Sequence, residues 1–305
     1  MKTRERLTAP DTHRAEVFVD RAILDLFDEY RHRPMDRRLF LRQLARLAGG
    51  AAAATSVLAL LEGDAEAAIV APDDPRLVTA TVRLAGPAGE IQAYQARPKN
   101  QGSKKLPAII VIHENRGLNP HIRDVARRVA LAGYHALAPD LLSRRGGTPP
   151  VQSEAIAAIR TLKPSEALAD LKATLASLRE REDVRANRLG VVGFCWGGGM
   201  TNHLATDSPA LRAAVAFYGR VPKASEVPKI KAHLLLIYAG NDQRINRGIA
   251  AYRAALDKAG VPYEMKIYPD AEHAFHNDTS PARYNPEAAK DAWARTMAFF
   301  KRRLR

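Results

Sequence analysis

A glycine-flanked cysteine is the clearest nucleophile pattern in this chain. Residues 191–199 read Val-Val-Gly-Phe-Cys-Trp-Gly-Gly-Gly, so Cys195 lies between Gly193 and Gly197 in a G-x-C-x-G pattern. In the G-x-S-x-G version, a strand turns sharply into a helix and presents the nucleophile at the edge of a sheet. The helix N-terminus would stabilise a thiolate there, and the backbone amide of Trp196 would point at a developing oxyanion. The alternative is a small buried cysteine beside a glycine-rich packing turn.

Two further residues, an aspartate and a histidine that follow the cysteine along the chain, are of the types needed to activate such a nucleophile. Asp242 follows a predicted strand over 233–238, and His273 follows a predicted strand over 263–268. The order nucleophile, acid, base is typical of hydrolases with a nucleophile elbow. We predict that His273 takes the proton of the Cys195 thiol and later activates water, while Asp242 orients the imidazole. Alternatively, the aspartate is only a helix N-cap and the histidine only structural.

Alternating strands and helices are predicted to position these residues. The run Leu106–Ile112 is continuously apolar, which is typical of a strand buried on both faces of a parallel sheet. The alternation predicts an α/β fold, with a mostly parallel central sheet and helices on both faces. The predicted strands are 80–84, 91–96, 106–112, 134–138, 188–193, 213–217, 233–238 and 263–268. The predicted helices are 120–132, 152–162, 165–181, 195–206, 243–259 and 286–303.

Three motifs together resemble those of the dienelactone hydrolases, also called carboxymethylenebutenolidases. They are Gly-Phe-Cys-Trp-Gly-Gly at 193–198, Gly-Asn-Asp at 240–242 and Glu-His-Ala-Phe at 272–275. The resemblance covers about residues 78–303. It implies an α/β-hydrolase with a Cys-His-Asp triad that cleaves a small-molecule ester or lactone without a cofactor. A broad carboxylesterase or thioesterase on the same fold and a catalytically silent extracytoplasmic binding protein are the alternatives.

The same resemblance implies roles for residues around the nucleophile. The family carries a glutamate that contacts the resting thiol, and Glu114 matches it; the amide of Asn115 would then be the second oxyanion donor. The family also grips its substrate's carboxylate with arginines, one of them four residues after the catalytic histidine. This chain has Asn277 there, while Arg144 and Arg145 lie in the region of the other arginine. These three are candidate substrate-binding residues, and the replacement at Asn277 favours neutral substrates.

The histidines and the cysteine do not form a recognisable metal motif. His113-Glu114 lacks the second histidine of the H-E-x-x-H zinc motif, because residue 117 is glycine. His273 and His276 have no carboxylate or third histidine at ligand spacing. We therefore predict no metal site. The single cysteine excludes a disulfide framework and cysteine-rich zinc modules.

The positive charge of the chain does not identify a partner. The 305 residues carry a formal net charge of +14, and residues 1–67 contain 11 basic and 11 acidic residues, so the excess belongs to the remainder. Nucleic-acid-binding proteins concentrate Lys and Arg along one stripe or helix, often with exposed aromatic residues. Here the basic residues are scattered and only 6% of residues are aromatic, which favours a solvated basic surface and no nucleic-acid partner. The oligomeric state is left open.

The N-terminal region has the order of features of an export signal. Arg37 and Arg38 precede an Ala- and Gly-rich apolar run over 47–61, and Ala65-Glu66-Ala67 supplies a small-x-small cleavage pattern. The paired arginine resembles a twin-arginine signal. An amphipathic helix with incidental arginines is the alternative, and Met35 is a second candidate start.

This interpretation divides the chain into a part that is removed on export and a part that is retained. We predict that residues 1–67 are removed after recognition by the twin-arginine export machinery, and that residues 68–305 form one hydrolase domain. The mature protein would then be periplasmic or otherwise extracytoplasmic.

Overall fold

Two compact units make up the chain. The computed structural model describes residues 4–7, 17–32, 35–62 and 69–305. One unit comprises residues 1–67 and 274–289, and the other comprises residues 68–273 and 290–305. The predicted cleavage pattern at residues 65–67 lies outside the described residues, so cleavage before Ala68 stays a prediction.

The first unit consists of a short antiparallel strand pair and three helices. The strands are β1 (Arg4–Leu7) and β2 (Val17–Asp20), and the helices are α1 (Arg21–His32), α2 (Arg37–Ala48) and α3 (Ala51–Glu62). The Asp36 carboxylate caps α2 by accepting hydrogen bonds from two backbone amides. Gly49 ends α2 with a φ of +86°, a value that glycine adopts readily. The apolar run over 47–61 is therefore divided between two helices.

The helices of this unit share a small apolar core, which includes Phe27, Phe40 and Leu44. None of the helices within the described ranges has the length and apolar character needed to cross a lipid bilayer.

An eight-stranded sheet is the framework of the second unit. Its strands are β3 (Leu77–Gly86), β4 (Gly89–Pro98), β5 (Leu106–Ile112), β6 (His135–Pro139), β7 (Val184–Phe194), β8 (Ala213–Phe217), β9 (His233–Ala239) and β10 (Tyr263–Tyr268). The strand order is β10-β9-β8-β7-β5-β6-β4-β3, and only the β3–β4 and β4–β6 pairs are antiparallel. The predicted mostly parallel sheet is confirmed. The carboxyl ends of the parallel strands, β5 to β10, therefore meet at one edge of the sheet.

Helices follow the strands, as the α/β prediction requires. They are α4 (Pro120–Leu131), α5 (Gln152–Thr161), α6 (Pro164–Glu180), α7 (Trp196–Asp207), α8 (Gln243–Asn246), α9 (Ile249–Ala259) and α10 (Pro286–Leu304). The prediction of one helix over 243–259 is wrong. The side-chain amide of Asn246 donates to the carbonyls of Ala239 and Gly240, and the Gly248 amide closes a tight turn on Ile245 before α9 begins.

A buried histidine makes the stability of this unit depend on pH. His135 begins β6 and is fully buried. Burial, aided by the positive charges of Arg181 and Arg97 and opposed by Asp183, lowers its pKa from 6.5 to about 4. Between these two values the unfolded chain binds a proton that the folded protein does not, so stability falls as the pH falls through this window. A shift of this size corresponds to roughly 3 kcal/mol of unfolding free energy.

The expected result is a steep loss of unfolding free energy between pH 6.5 and pH 4 that is weaker in His135→Gln. Urea unfolding at a series of pH values measures it. An equally steep loss in His135→Gln would show that other groups cause the acid sensitivity.

Candidate active site

A sharp turn between β7 and α7 holds Cys195 at the carboxyl edge of the sheet. Cys195 has a φ of +56° and a ψ of −115°, a strained conformation for a residue with a side chain. Its amide donates to the carbonyl of Phe217 at the end of β8. The flanking glycines are required because a Cβ at Gly193 would lie 2.2 Å from the Gly197 carbonyl oxygen, and one at Gly197 would lie 2.4 Å from that of His113. The backbone therefore has the geometry of a nucleophile elbow.

The structure brings Cys195, His273 and Asp242 together. His273 Nε2 lies 3.0 Å from Cys195 Sγ, and His273 Nδ1 forms a hydrogen bond with Asp242 Oδ2. Asp242 Oδ1 also accepts from the Ile245 amide, so this carboxylate is both a helix cap and a partner of the histidine. All three side chains are buried, at 4% exposure each. The thiol therefore contacts the imidazole, and the imidazole contacts the carboxylate.

Charges within this group favour a protonated His273 imidazole beside an ionised Asp242 carboxylate. Burial alone would lower the pKa of His273, but the negative charges of Asp242 and of a Cys195 thiolate outweigh it and raise the pKa above its usual range. Burial acts to raise the pKa of Asp242, and the charge and hydrogen bond of His273, with the charge of Arg244, outweigh it and lower the pKa. The site therefore stabilises an imidazolium beside the Asp242 carboxylate.

One aromatic residue beside His273 was not predicted from the sequence. The Tyr218 ring packs against the His273 ring at a centroid distance of 4.9 Å, and Tyr218 itself has a φ of +38°. It directly follows β8 and is 1% exposed. Tyr218 therefore forms part of the wall around the His273 imidazole. No motif in the sequence marks it.

The loop after β5 carries the other residues that the family resemblance implicates. Glu114 is 1% exposed and Asn115 is 6% exposed. His113, just before them, is fully buried, and its ring stacks on the Trp196 indole at a centroid distance of 5.5 Å and an interplanar angle of 14°. This loop therefore lies against the start of α7. The contact of Glu114 with the thiol and the two oxyanion donors stay predictions.

The two candidate arginines are held by helices α5 and α6. The Arg144 guanidinium forms a bidentate pair with the buried carboxylate of Asp170, at 3.0 and 2.7 Å. Arg145 donates to the side chain and to the carbonyl of Thr161. Neither guanidinium forms a hydrogen bond or ion pair with Cys195, Asp242 or His273, and the role of Arg144 and Arg145 in substrate binding stays a prediction.

Asn277 belongs to the other compact unit. It is buried, and its side-chain oxygen accepts from the amide and the hydroxyl of Thr279, at 3.0 and 2.7 Å. This turn fixes the orientation of the carboxamide. Its proposed contact with substrate stays a prediction.

Among the residues that the structure describes, no group of three or more His, Cys, Asp or Glu side chains has the arrangement of a metal site.

Comparison with known proteins identifies the family. The sequence profile of the Dienelactone hydrolase family matches residues 91–304. The "Putative carboxymethylenebutenolidase" of Escherichia coli (strain K12) is 37% identical over 250 residues, which cover 76% of this chain and 90% of that protein. A protein of the same description from Saccharolobus solfataricus is 35% identical over 248 residues, covering 70% of this chain and 94% of its own length.

A solved structure agrees with the sequence relatives. The crystal structure of a "Putative Dienelactone Hydrolase" from Klebsiella pneumoniae subsp. pneumoniae MGH 78578 superposes with a TM-score of 0.67 at 34% identity, covering 74% of this chain and 98% of the other. The region matched by the family profile includes the elbow, strands β5 to β10 and the residues that meet at their carboxyl edge. The chain therefore belongs to the dienelactone hydrolase family and is an ester or lactone hydrolase with the α/β-hydrolase fold.

Proposed function

We propose that this protein hydrolyses its ester or lactone through a thioester on Cys195, with His273 and Asp242 as the other members of a catalytic triad. One observation carries the proposal: a buried imidazole lies 3.0 Å from the thiol sulfur through Nε2 and binds a buried carboxylate through Nδ1. A nucleophile, its base and the group that orients the base are the three parts that covalent acyl transfer requires.

In the first half of the reaction, Cys195 Sγ attacks the carbonyl carbon as a thiolate. The electron pair of the C=O bond moves to the oxygen, and the backbone amides of Trp196 and Asn115 stabilise the resulting oxyanion. As the tetrahedral intermediate collapses, the C–O bond to the leaving group breaks, and His273 gives its Nε2 proton to the departing alkoxide. The alcohol leaves, or in a lactone remains attached, and an acyl group stays on sulfur.

In the second half, His273 removes a proton from water and the resulting hydroxide attacks the thioester carbonyl. The C–S bond breaks, the thiolate returns and the product carboxylic acid departs. Asp242 stabilises the imidazolium in both halves. Glu114, by resemblance to the family, holds the resting thiol before substrate binds. One ester bond and one water are consumed, and no cofactor takes part.

Iodoacetamide tests the nucleophile, because it alkylates thiolates. We expect labelling of the single cysteine to abolish hydrolysis of a 4-nitrophenyl ester in proportion to the fraction labelled. Full activity in fully alkylated protein would contradict the proposal.

Because residue 277 is an uncharged asparagine, we predict that the enzyme prefers neutral substrates. An arginine there would bind a substrate carboxylate by a charge-assisted bidentate contact, whereas Asn277 offers a neutral amide that already accepts two bonds from Thr279. A charge-assisted bond is typically worth ~1.5–3 kcal/mol, or about 10–150-fold in kcat/KM. The charge of the Arg144 guanidinium is partly neutralised by its bidentate pair with Asp170, which weakens its attraction for a substrate carboxylate.

The expected result is that a neutral lactone methyl ester is hydrolysed at least as fast as the corresponding lactone acid, and that Asn277→Arg shifts the ratio toward the acid. Asn277→Asp is the matched control, because it keeps the acceptor for Thr279 and adds a repelling charge. Comparison of kcat/KM for the two substrates measures the ratio. A strong wild-type preference for the acid would show that another cation serves the site.

We also propose that residues 1–67 direct twin-arginine export and are removed, which would place the mature enzyme in the periplasm or another extracytoplasmic compartment. Both arginines of the pair are exposed at the start of α2, where a receptor could read them. We expect the double change Arg37→Lys with Arg38→Lys to leave full-length precursor in the cytoplasm, as measured by fractionation and immunoblotting. Arg42→Lys with Arg46→Lys in the same helix is the control, and normal export of the Arg37/Arg38 form would refute this proposal.

A further inference from the structure

His113 forms hydrogen bonds through both ring nitrogens, although the proposed mechanism does not use it. It directly follows β5 and is fully buried. Its Nδ1 lies 2.6 Å from the carbonyl oxygen of Glu114, and its Nε2 lies 3.2 Å from the backbone nitrogen of Leu141. The ring therefore connects the loop after β5 with the segment after β6.

These two partners determine where the imidazole hydrogen lies. The Leu141 amide can only donate, so Nε2 must be the unprotonated nitrogen and must accept. The hydrogen is then on Nδ1, which donates it to the Glu114 carbonyl. Burial lowers the pKa of His113, and the nearby charge of Asp140 offsets this only in part, so the ring is neutral.

The bond from Nδ1 reaches the peptide that carries a proposed oxyanion donor. The Glu114 carbonyl and the Asn115 N–H belong to one planar trans peptide, in which C=O and N–H point in opposite directions. Holding the carbonyl on one side fixes the direction of the N–H on the other. A hydrogen bond to the carbonyl also polarises the amide and strengthens its N–H as a donor.

His113 also contacts the segment that carries the other proposed donor. Its ring stacks on the Trp196 indole, and its backbone carbonyl faces Gly197 so closely that a Cβ at Gly197 would lie 2.4 Å away. One residue thus touches both pieces of backbone that must converge on the oxyanion.

We infer that His113 is a positioning residue for the oxyanion hole: it holds the Glu114–Asn115 peptide so that the Asn115 amide and the Trp196 amide converge on the same oxygen. This inference rests on the proposed thioester mechanism. His113 itself does not touch the reacting atoms and exchanges no proton with them.

Two substitutions separate the roles of the ring nitrogens. His113→Asn places an amide nitrogen near the Nδ1 position, where it can still donate to the Glu114 carbonyl. His113→Gln places an amide oxygen near the Nε2 position, where it accepts from the Leu141 amide but leaves the Glu114 carbonyl without its donor. Because loss of a whole oxyanion donor costs about 10²–10³-fold in kcat, we expect a misdirected donor in His113→Gln to cost about 10–10²-fold. KM should change little, and His113→Asn should keep kcat within about 5-fold.

Iodoacetamide distinguishes this role from an effect on the triad. Alkylation displaces iodide at a saturated carbon and forms no oxyanion, so it needs the Cys195 thiolate but not the oxyanion hole. We expect His113→Gln to alkylate at the wild-type rate while its ester hydrolysis is slow. His135→Gln, which also removes a fully buried histidine, is the control and should hydrolyse the ester at the wild-type rate at pH 7.5.

Three results would overturn the inference: parallel losses of alkylation and hydrolysis in His113→Gln, wild-type hydrolysis in that variant, or an equal loss in His113→Asn. If His113→Gln does not fold, as judged by thermal melting, then His113→Asn alone decides, and a loss of more than about 10-fold in its kcat counts against the inference. Failure of the proposed function looks different, because Cys195→Ala would then turn over the ester at the wild-type rate.

Discussion

Cys195→Ala is expected to lower kcat for ester hydrolysis by on the order of 10⁴-fold or more while leaving the protein folded. The alanine side chain has no nucleophile, so only the oxyanion donors and substrate binding would remain. Folding should be little affected, because alanine and cysteine meet the same backbone strain at a φ of +56°. Cys195→Ser should keep only a trace of activity, since a hydroxyl is far less acidic than a thiol and the site is arranged for a thiolate.

Steady-state kinetics with a chromogenic ester and thermal melting of the three proteins measure this result. Because Cys195 is the chain's single cysteine, neither variant retains another thiol that could substitute for it. Turnover by the alanine variant at the wild-type rate would mean that another residue attacks the substrate.

Asp242→Asn is expected to lower kcat by about 10³–10⁴-fold, since the carboxylate both orients the imidazole and stabilises its charged form. The asparagine oxygen can still accept from the Ile245 amide, so the cap of α8 is retained. Without the negative charge, burial dominates the environment of His273 and favours the neutral imidazole. The thiolate then loses its counter-charge, and iodoacetamide labelling at pH 7 should slow together with hydrolysis.

Asp270→Asn is the matched control, because Asp270 is an exposed carboxylate in the same loop as His273. It should show wild-type kinetics in both assays. An Asp242→Asn enzyme with normal turnover would remove Asp242 from the mechanism and leave it only as a helix cap.

The sequence predicted most elements of the sheet-containing unit, and the meeting of Cys195, Asp242 and His273, for one physical reason. Buried parallel strands have a strong signal in continuous apolar runs, and residues just beyond their carboxyl ends must meet at one edge of the sheet. Cys195 and Asp242 follow such strands and His273 follows the parallel edge strand β10, so all three were expected at the same edge of the sheet.

The features that the sequence did not predict depend on contacts between distant segments. The break between α8 and α9 arises because Asn246 binds carbonyls at the end of β9, which helix periodicity does not report. The sequence assigns His113 no role, because its bond to the Leu141 amide joins segments 28 residues apart. The pairing of Arg144 with Asp170 likewise requires the three-dimensional arrangement of α6.

The most direct test of the central claim is to trap the acyl-enzyme. The protein is mixed with a 4-nitrophenyl ester, quenched in acid within the first turnovers, digested and examined by mass spectrometry. We predict one acyl group on the peptide that contains Cys195, released by hydroxylamine as a thioester should be, and absent from Cys195→Ala. Acylation of a different residue, or rapid wild-type turnover with no acyl group on Cys195 at any quench time, would contradict the account.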